Sequence, residues 1–401
     1  MYTKTICLFL LVLCAPVLLQ AQQKESYQYP FSSDIYQQIQ KDSAVYWGGG
    51  IASTDLSFIG LFREGLMEYD KPRQSKKTIT AADSLRFATQ YHPVEARQYI
   101  LEKAKQNRVV MFNEAHYNPR HRVFVTSLLK NLRQQGYTYL AAETFAVDSF
   151  FFREKHPVFF TGLYSREPQF GNMIREAISL GFHLYPYEST DTLYTQAARE
   201  EGEANHLNKL LQQHPEAKVI VYCGFDHIKE DTIKGWGLPM AGRLKVMSGI
   251  DPYTVDQVVL AEKADSTMNS PYYSMVRSNT YAILVDSAGN AYNNRKVDAL
   301  LYSPPAYTIH NRENWVFENG RLPYLLDKIK VEVSYPFLAK VYLAGDDREC
   351  AIPVDIREIR SKEELKKTAL ALFAREQCII SLVDKKGKTQ SWVVEAGSFS
   401  R

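Results

Sequence analysis

Beyond its first twenty residues the chain has no apolar run near the ~20 residues that a membrane-spanning helix needs, so a stable transmembrane anchor is excluded from the rest of the sequence. An excess of one charge is also lacking. Lys and Arg number 48 against 45 Asp and Glu, a net +3, with no long basic run and no basic–aromatic interleaving, which excludes nucleic acid as the expected partner. Cysteine is scarce, at five in 401 residues. No repeat array is present, and neither is the His-Glu-x-x-His signature of a zinc peptidase.

What is there suits a folded protein: 45% apolar and 12% aromatic residues fill one large core and one or two smaller modules. The opening "MYTKTICLFLLVLCAPVLLQAQQ" places Lys4 before an apolar run from Ile6 to Leu19 and ends on Leu19-Gln20-Ala21. It reads as a signal peptide over 1–21, cleaved after Ala21, and predicts an exported protein, periplasmic or extracellular. Leu13 precedes Cys14 where a lipoprotein signal carries a small residue, so lipid attachment is the lesser reading. Cleavage leaves Cys223, Cys350 and Cys378; the last two share one C-terminal region and are candidates to pair in an oxidising compartment.

Residues 22–95 read as a helical segment. Within 32–70, two helices are expected, with Leu56, Ile59, Phe62 and Leu66 at helical spacing, and the unit resembles half of a tetratricopeptide-type hairpin. Residues 71–83 read as a linker, and "HPVEARQYILEKAKQN" as a helix with Pro93 in its first turn. From 96 to 326, short apolar strands ("RVVMFN", "YTYLAAE", "FHLYPYE", "AKVIVYCG", "YTVDQVVLAE") alternate with amphipathic helices. That pattern predicts an α/β domain with a largely parallel central sheet and flanking helices. "YAILVDSAGNAYNNRKVDALLYSPP" supplies two further strands, and residues 327–401 form a small β-rich C-terminal domain with a "SKEELKKTALALFA" helix and a hairpin at "DKKGKTQ". This domain carries no catalytic constellation and reads as a structural or binding module. A chain ending near Leu326 is expected to keep its α/β core.

Four strands end in chemistry. The first ends in Glu114-Ala115-His116, the second in Glu143-Thr144, the third in Glu188-Ser189 and the fourth in Gly224-Phe225-Asp226-His227. Ligands of open α/β sheets bind outside the carboxyl ends of the strands, so these groups have a reason to converge. Glu114, His116, Glu143 and His227 are expected to line one cleft, with Arg199, Glu188 and His121 at its rim. Arg120, His121 and Arg122 open a helix and serve either the site or a solvated face; Arg199 is either a site cation or an i,i+4 partner on a Glu-rich helix. An imidazole beside a carboxylate is a competent general base near pH 7. Imidazole and carboxylate also suit Zn or Mn, so Glu114, His116, Glu143 and His227 form a candidate metal set.

"VVMFNEAHYNPRHRVFVTSLLKNL" resembles the opening motif of the ChaN-like haem-binding lipoproteins, with Asn113 in place of their glycine. "YLAAETF" around Glu143, "AREEGEANHL" with Arg199 and Asn205, and "KVIVYCGFDHIKED" with His227 resemble the erythromycin esterase family. Both are related to the TIKI and TraB/GumN proteins. The resemblance spans roughly residues 108–260. It implies a secreted hydrolase that cleaves an ester or amide in a small-molecule, peptide or glycan-linked substrate. Glu114, His116, Glu143 and His227 would act in acid/base or metal-ligand roles, and Arg199 would orient a carboxylate or stabilise an oxyanion. Two alternatives remain. One is a haem- or iron-binding protein using His116, His121 and Tyr117. The other is a hydrolase with Cys223 as nucleophile beside His227, by analogy with a toxin domain thought to share the fold.

Overall fold

The computed structural model describes residues 27–44, 50–73, 78–146, 156–189, 195–293 and 296–395, and the expected signal peptide lies outside them. Helices α1 (Ser32–Lys41), α2 (Ile51–Phe58), α3 (Phe62–Asp70) and α4 (Ala81–Gln90) lead to strand β1 (His92–Glu95) and α5 (Ala96–Gln106). The alternating part follows as β2 (Val109–Glu114), α6 (Arg120–Gln134), β3 (Tyr137–Ala142), α7 (Pro168–Ser179), β4 (His183–Pro186), α8 (Gln196–Gln213), β5 (Lys218–Gly224), α9 (Met240–Ser248) and β6 (Tyr253–Asp256). Strands β7 (Ala282–Val285) and β8 (Ala299–Tyr302) complete an eight-stranded sheet of order β1-β7-β8-β6-β2-β5-β3-β4.

Six of its strands, from β8 to β4, run parallel; β7 and β1 add an antiparallel edge. Both faces are covered. Along β2 and β5 the side chains alternate between two cores: Val110, Phe112, Ile220 and Tyr222 join one, and Val109, Met111, Val219, Val221 and Cys223 the other. This double burial is why the strands read as continuous apolar runs. Among the described residues no helix is long and apolar enough to cross a membrane.

The N-terminal region differs from its expected form. Among the described residues of 32–70, the second expected helix is split into α2 and α3, because Gly60 breaks the run at φ +75° and leans on the carbonyl oxygen of Ile356, where a Cβ would collide. The expected linker already contains the start of α4, capped by Thr80. "HPVE" is not a first helical turn but strand β1, with Pro93 opposite Leu284. Proline is tolerated there because β1 is an edge strand with no second ladder to satisfy. The helix begins at Ala96, where the Glu95 side chain accepts from Gln98 N at 2.7 Å.

After two short strands, β9 (Thr308–Ile309) and β10 (Arg312–Glu313), come β11 (Arg321–Leu325), β12 (Phe337–Leu343), β13 (Asp355–Ile359), α10 (Lys362–Lys367), β14 (Ala369–Phe373), β15 (Gln377–Asp384) and β16 (Thr389–Glu395). The expected helix over "SKEELKKTALALFA" is thus half helix and half strand, since "ALALF" pairs with β11. That ladder crosses the boundary expected at 326/327. The remaining strands form a sheet of order β13-β12-β15-β16, joined by the expected hairpin with Gly387 at φ +80°. Leu338 and Ile356 of this sheet pack with Ile35, Ile39, Leu56 and Phe58, so the N-terminal helices lie on it. Cys350 and Cys378 form no disulfide and sit in separate apolar clusters, so the pairing considered for them does not form.

Candidate functional site

Parallel strands end at one edge, and at the carboxyl ends of β2, β3, β4 and β5 lies a cleft of about 1190 Å³ lined by His116, Glu143, Glu188, Arg199 and His227, with Tyr164 and Trp236. The expected convergence is therefore met by four of the strand ends. Glu114 is the exception: it lies beneath the floor. Its carboxylate accepts from Arg122 Nε and Nη2 at 2.6 Å each, from Tyr222 OH at 2.7 Å and from His116 Nδ1 at 2.9 Å. Burial opposes its ionisation, yet Arg122 and His116 outweigh that and hold it well below the usual carboxylate range. Arg122, fully buried, also donates to Glu167 Oε2 at 2.9 Å and to the His116 carbonyl at 2.9 Å.

His116 is fixed on three sides. Nδ1 is committed to Glu114, the ring stacks on Tyr164 with centroids 3.8 Å apart, and Phe225 meets it edge-on at 5.2 Å. With the proton on Nδ1, Nε2 presents its lone pair to the cleft, 3.9 Å from Glu143 Oε1. Gly224 makes this arrangement fit, since a Cβ there would strike both the His116 ring and the Glu143 carboxylate. Its N–H instead donates to Glu143 Oε2. Thr144 and Phe225, immediately past β3 and β5, hold left-handed φ values of 73° and 32°. Non-glycine residues in that region store strain, and such strain gathers at functional sites.

The opposite wall is built by α8. Arg199 donates to Glu143 Oε1 at 2.9 Å and Glu188 Oε1 at 2.7 Å, and its Nε lies 3.0 Å from Glu203 Oε1. Glu188 Oε2 accepts from Thr144 N at 2.6 Å, which gives this acid a definite place in the wall. Burial again opposes ionisation of Glu143, but His227, His116 and Arg199 bring its pKa down to about 2. His227 Nδ1 donates to Glu200 Oε2 at 3.0 Å and lies 3.4 Å from Glu203 Oε2. Burial disfavours charge on this ring, but Glu143, Glu200 and Glu203 prevail and raise its pKa to about 9. Arg199 Nη1 stands 3.0 Å from its Nε2, a contact that is a hydrogen bond only while the ring is neutral, because a guanidinium offers hydrogens alone. Glu143 and Glu200 face the ring as carboxylates, and Arg199 divides its charge among Glu143, Glu188 and Glu203. Burial pushes Glu203 up to about 8.

Several expected residues stand elsewhere. His121 is buried behind the turn after β2, accepting from Ala115 N at 3.1 Å, and burial lowers it to about 3, so it is a neutral turn-holder and not a rim group. Arg120 is buried against Tyr281 OH at 3.0 Å and the Pro304 carbonyl at 2.5 Å. Asn205 is exposed on α8, outside the cleft. The Cys223 thiol is buried in the apolar core, 3.5 Å from the Phe112 carbonyl, and burial followed by nearby carboxylates raises its pKa, so it is no nucleophile for this cleft. Tyr117 stacks on Tyr69 at 3.8 Å, so His116, His121 and Tyr117 do not face one haem-sized space.

The candidate metal set also changes. Glu114 is saturated by Arg122 and Glu143 by Arg199, whereas Glu200, Glu203 and His227 bring ligand atoms within 4.8 Å of one another. Sequence reading missed Glu200 and Glu203 and left Arg122 open between the site and a solvated face. The signal for the last two was present in "AREEGEANHL", where Arg199, Glu200 and Glu203 share one helical face.

No family model and no curated protein matches the chain. Among solved structures, the type III effector HopBA1 superposes with a TM-score of 0.35 and 12% identity over 54% of this chain and 98% of that chain. A likeness that slight bears on no step below.

Proposed function

We propose that the chain is an exported hydrolase of the erythromycin esterase/ChaN-like kind, cleaving an ester or amide with water activated by His116. The observation that carries this reading is the Glu114–His116 pair, in which a locked, ionised carboxylate orients an imidazole whose Nε2 opens on the cleft. His116 Nε2 takes a proton from water as its oxygen attacks the carbonyl carbon. Arg199, on the cleft wall, would stabilise the charge that develops on the carbonyl oxygen. His227, charged below about pH 9, gives its Nε2 proton to the leaving oxygen or nitrogen. Glu114 and Glu200 act through the two rings, each fixing Nδ1. A Zn or Mn ion held by Glu200, Glu203 and a neutral His227 would supply Lewis-acid polarisation in place of the imidazolium's proton, not beside it.

The substrate is a small molecule, a peptide or a glycan-linked compound. Screening esters, peptides and glycan esters with wild type and His116→Gln, with and without added Zn or Mn, tests the reading. Turnover that depends on His116 supports it; a verified substrate turned over equally by His116→Gln refutes it.

A further inference from the structure

A cavity of about 260 Å³ lies between α6 and α7 and shares no residue with the hydrolytic cleft. Helix α7 contributes Gln169, Asn172 and Glu176, spaced three and four apart on one face, and Arg321 of β11 joins them on the lining. Gln169, Asn172 and Arg321 are 4%, 6% and 5% exposed. Polar groups so far out of water are as a rule fully hydrogen-bonded. Each of these three nevertheless keeps one atom without a partner among the described residues: Gln169 Nε2, Asn172 Oδ1 and Arg321 Nε.

One carbonyl gathers them. Val354 O accepts from Asn172 Nδ2 at 2.9 Å and from Arg321 Nη2 at 2.8 Å, and Gln169 Oε1 accepts from Asn172 Nδ2 at 3.4 Å. These bonds fix both amides, which leaves Gln169 Nε2 as a donor and Asn172 Oδ1 as an acceptor. Arg321 Nη2 donates to backbone carbonyls, of Val354 and Ala371, and no carboxylate is bonded to this guanidinium among the described residues. Asp355, the acid acting on it most strongly, gives both oxygens to Arg312 at 2.8 Å each. Burial therefore prevails and lowers the Arg321 pKa to about 10. A buried cation without an anion is costly, so the position makes sense when an anion from outside the chain completes it.

The lining holds acids as well, and they refine the choice. Glu318 is occupied by Arg97 at 3.3 Å and by Tyr281 OH at 3.2 Å. Glu176, half-buried and one helical turn beyond Asn172, is not. Two neighbouring donors, one of them cationic, suit a carboxylate; a neighbouring acceptor backed by an acid suits an ammonium. Val123 and Phe373 add apolar wall on the same lining. We infer that this cavity binds a free α-amino acid with a small apolar side chain, its carboxylate on Arg321 and Gln169 and its ammonium on Asn172 and Glu176. The site stands or falls without the hydrolase reading.

Isothermal titration of the full chain with L-valine tests it, beside isobutylamine, which lacks the carboxylate, and isovalerate, which lacks the ammonium. L-Valine should bind, and each analogue should bind at least about tenfold more weakly, the factor expected of one lost charge-assisted hydrogen bond. N-Acetyl-L-valine, which presents the carboxylate and amide of a peptide C-terminus, should weaken by a similar factor. Glu176→Gln should weaken L-valine and leave isovalerate unchanged. No binding of L-valine, or an analogue bound as tightly, would overturn the inference, and equal binding of the N-acetyl compound would replace the amino acid by a peptide terminus. These comparisons use the wild-type chain, so they decide even if the Glu176 variant disturbs folding.

Discussion

His116 Nδ1 lies 2.9 Å from Glu114 Oε1, and Arg122 grips that same carboxylate through two bonds of 2.6 Å. Orientation of the base and stability of the core thus share one side chain, and two substitutions separate them. His116→Gln should melt close to wild type and lose about 100- to 10,000-fold in rate, the usual span for a general base. Glu114→Gln should also lower the melting temperature, because a fully buried guanidinium loses one of its two carboxylate partners, at a cost of at most about 3–5 kcal/mol. Thermal melts of the two variants beside their rates check this; equal melting would mean that Glu114 does not anchor Arg122.

Gly224→Ala probes the site without touching a titratable group. The backbone there has φ −83° and ψ 148°, open to any residue, so no strain accompanies the change. The new methyl displaces the His116 ring and the Glu143 carboxylate. Rate should fall about 100-fold, as expected for displacement by about 1 Å, with a stability loss of about 1–3 kcal/mol from overpacking. Wild-type turnover by this variant would remove His116 and Glu143 from the mechanism.

The pH response follows from three groups. His227 is raised from 6.5 to about 9 and Glu203 from 4.5 to about 8, so each binds its proton more tightly in the folded chain. Their stabilising contribution is complete below the unfolded values and is lost as pH climbs through the folded ones. Glu143, lowered from 4.5 to about 2, does the reverse and loses its contribution as pH falls through about 2. Melting temperature should therefore decline from about pH 4.5 to 9, through Glu203 first and then His227, and His227→Gln should flatten the part above about pH 6.5. Turnover should fade over the same alkaline limb as the imidazolium proton leaves. A melting profile that rises toward pH 9 would contradict the charge state assigned to His227.

The acids and imidazoles at the strand ends were legible because buried parallel strands are short apolar runs whose ends stand out in sequence. Glu143, His116 and His227 follow directly from that contrast. Glu203 was not legible and Arg122 stayed open between two readings, since a charged residue on an amphipathic helix reads as solvent-facing until its partner is known. Glu114 is eight positions from Arg122, and His227 is 27 from Glu200. Strand β14 was hidden for another reason: four residues of alternating Ala and Leu followed by Phe373 suit helix and strand alike, and only the ladder to β11 decides.

That ladder sets the outcome of truncation. A chain ending at Leu326 loses β14, the antiparallel partner of all five residues of β11. It also loses Asp355, whose two oxygens hold the fully buried Arg312 at 2.8 Å each, and Asp346, which holds Arg175 of α7. Removing one partner of a buried pair costs about 3–5 kcal/mol, and whole domains are stable by only about 5–15 kcal/mol. Leu338 and Ile356 leave with the tail and expose the apolar face of α1 and α2. The truncated chain should consequently melt far below the full chain or without cooperativity, in contrast to the separable core expected from sequence. Denaturant unfolding followed by circular dichroism checks this: a cooperative transition at the full-length midpoint would show that the α/β sheet holds itself together and that these contacts contribute little.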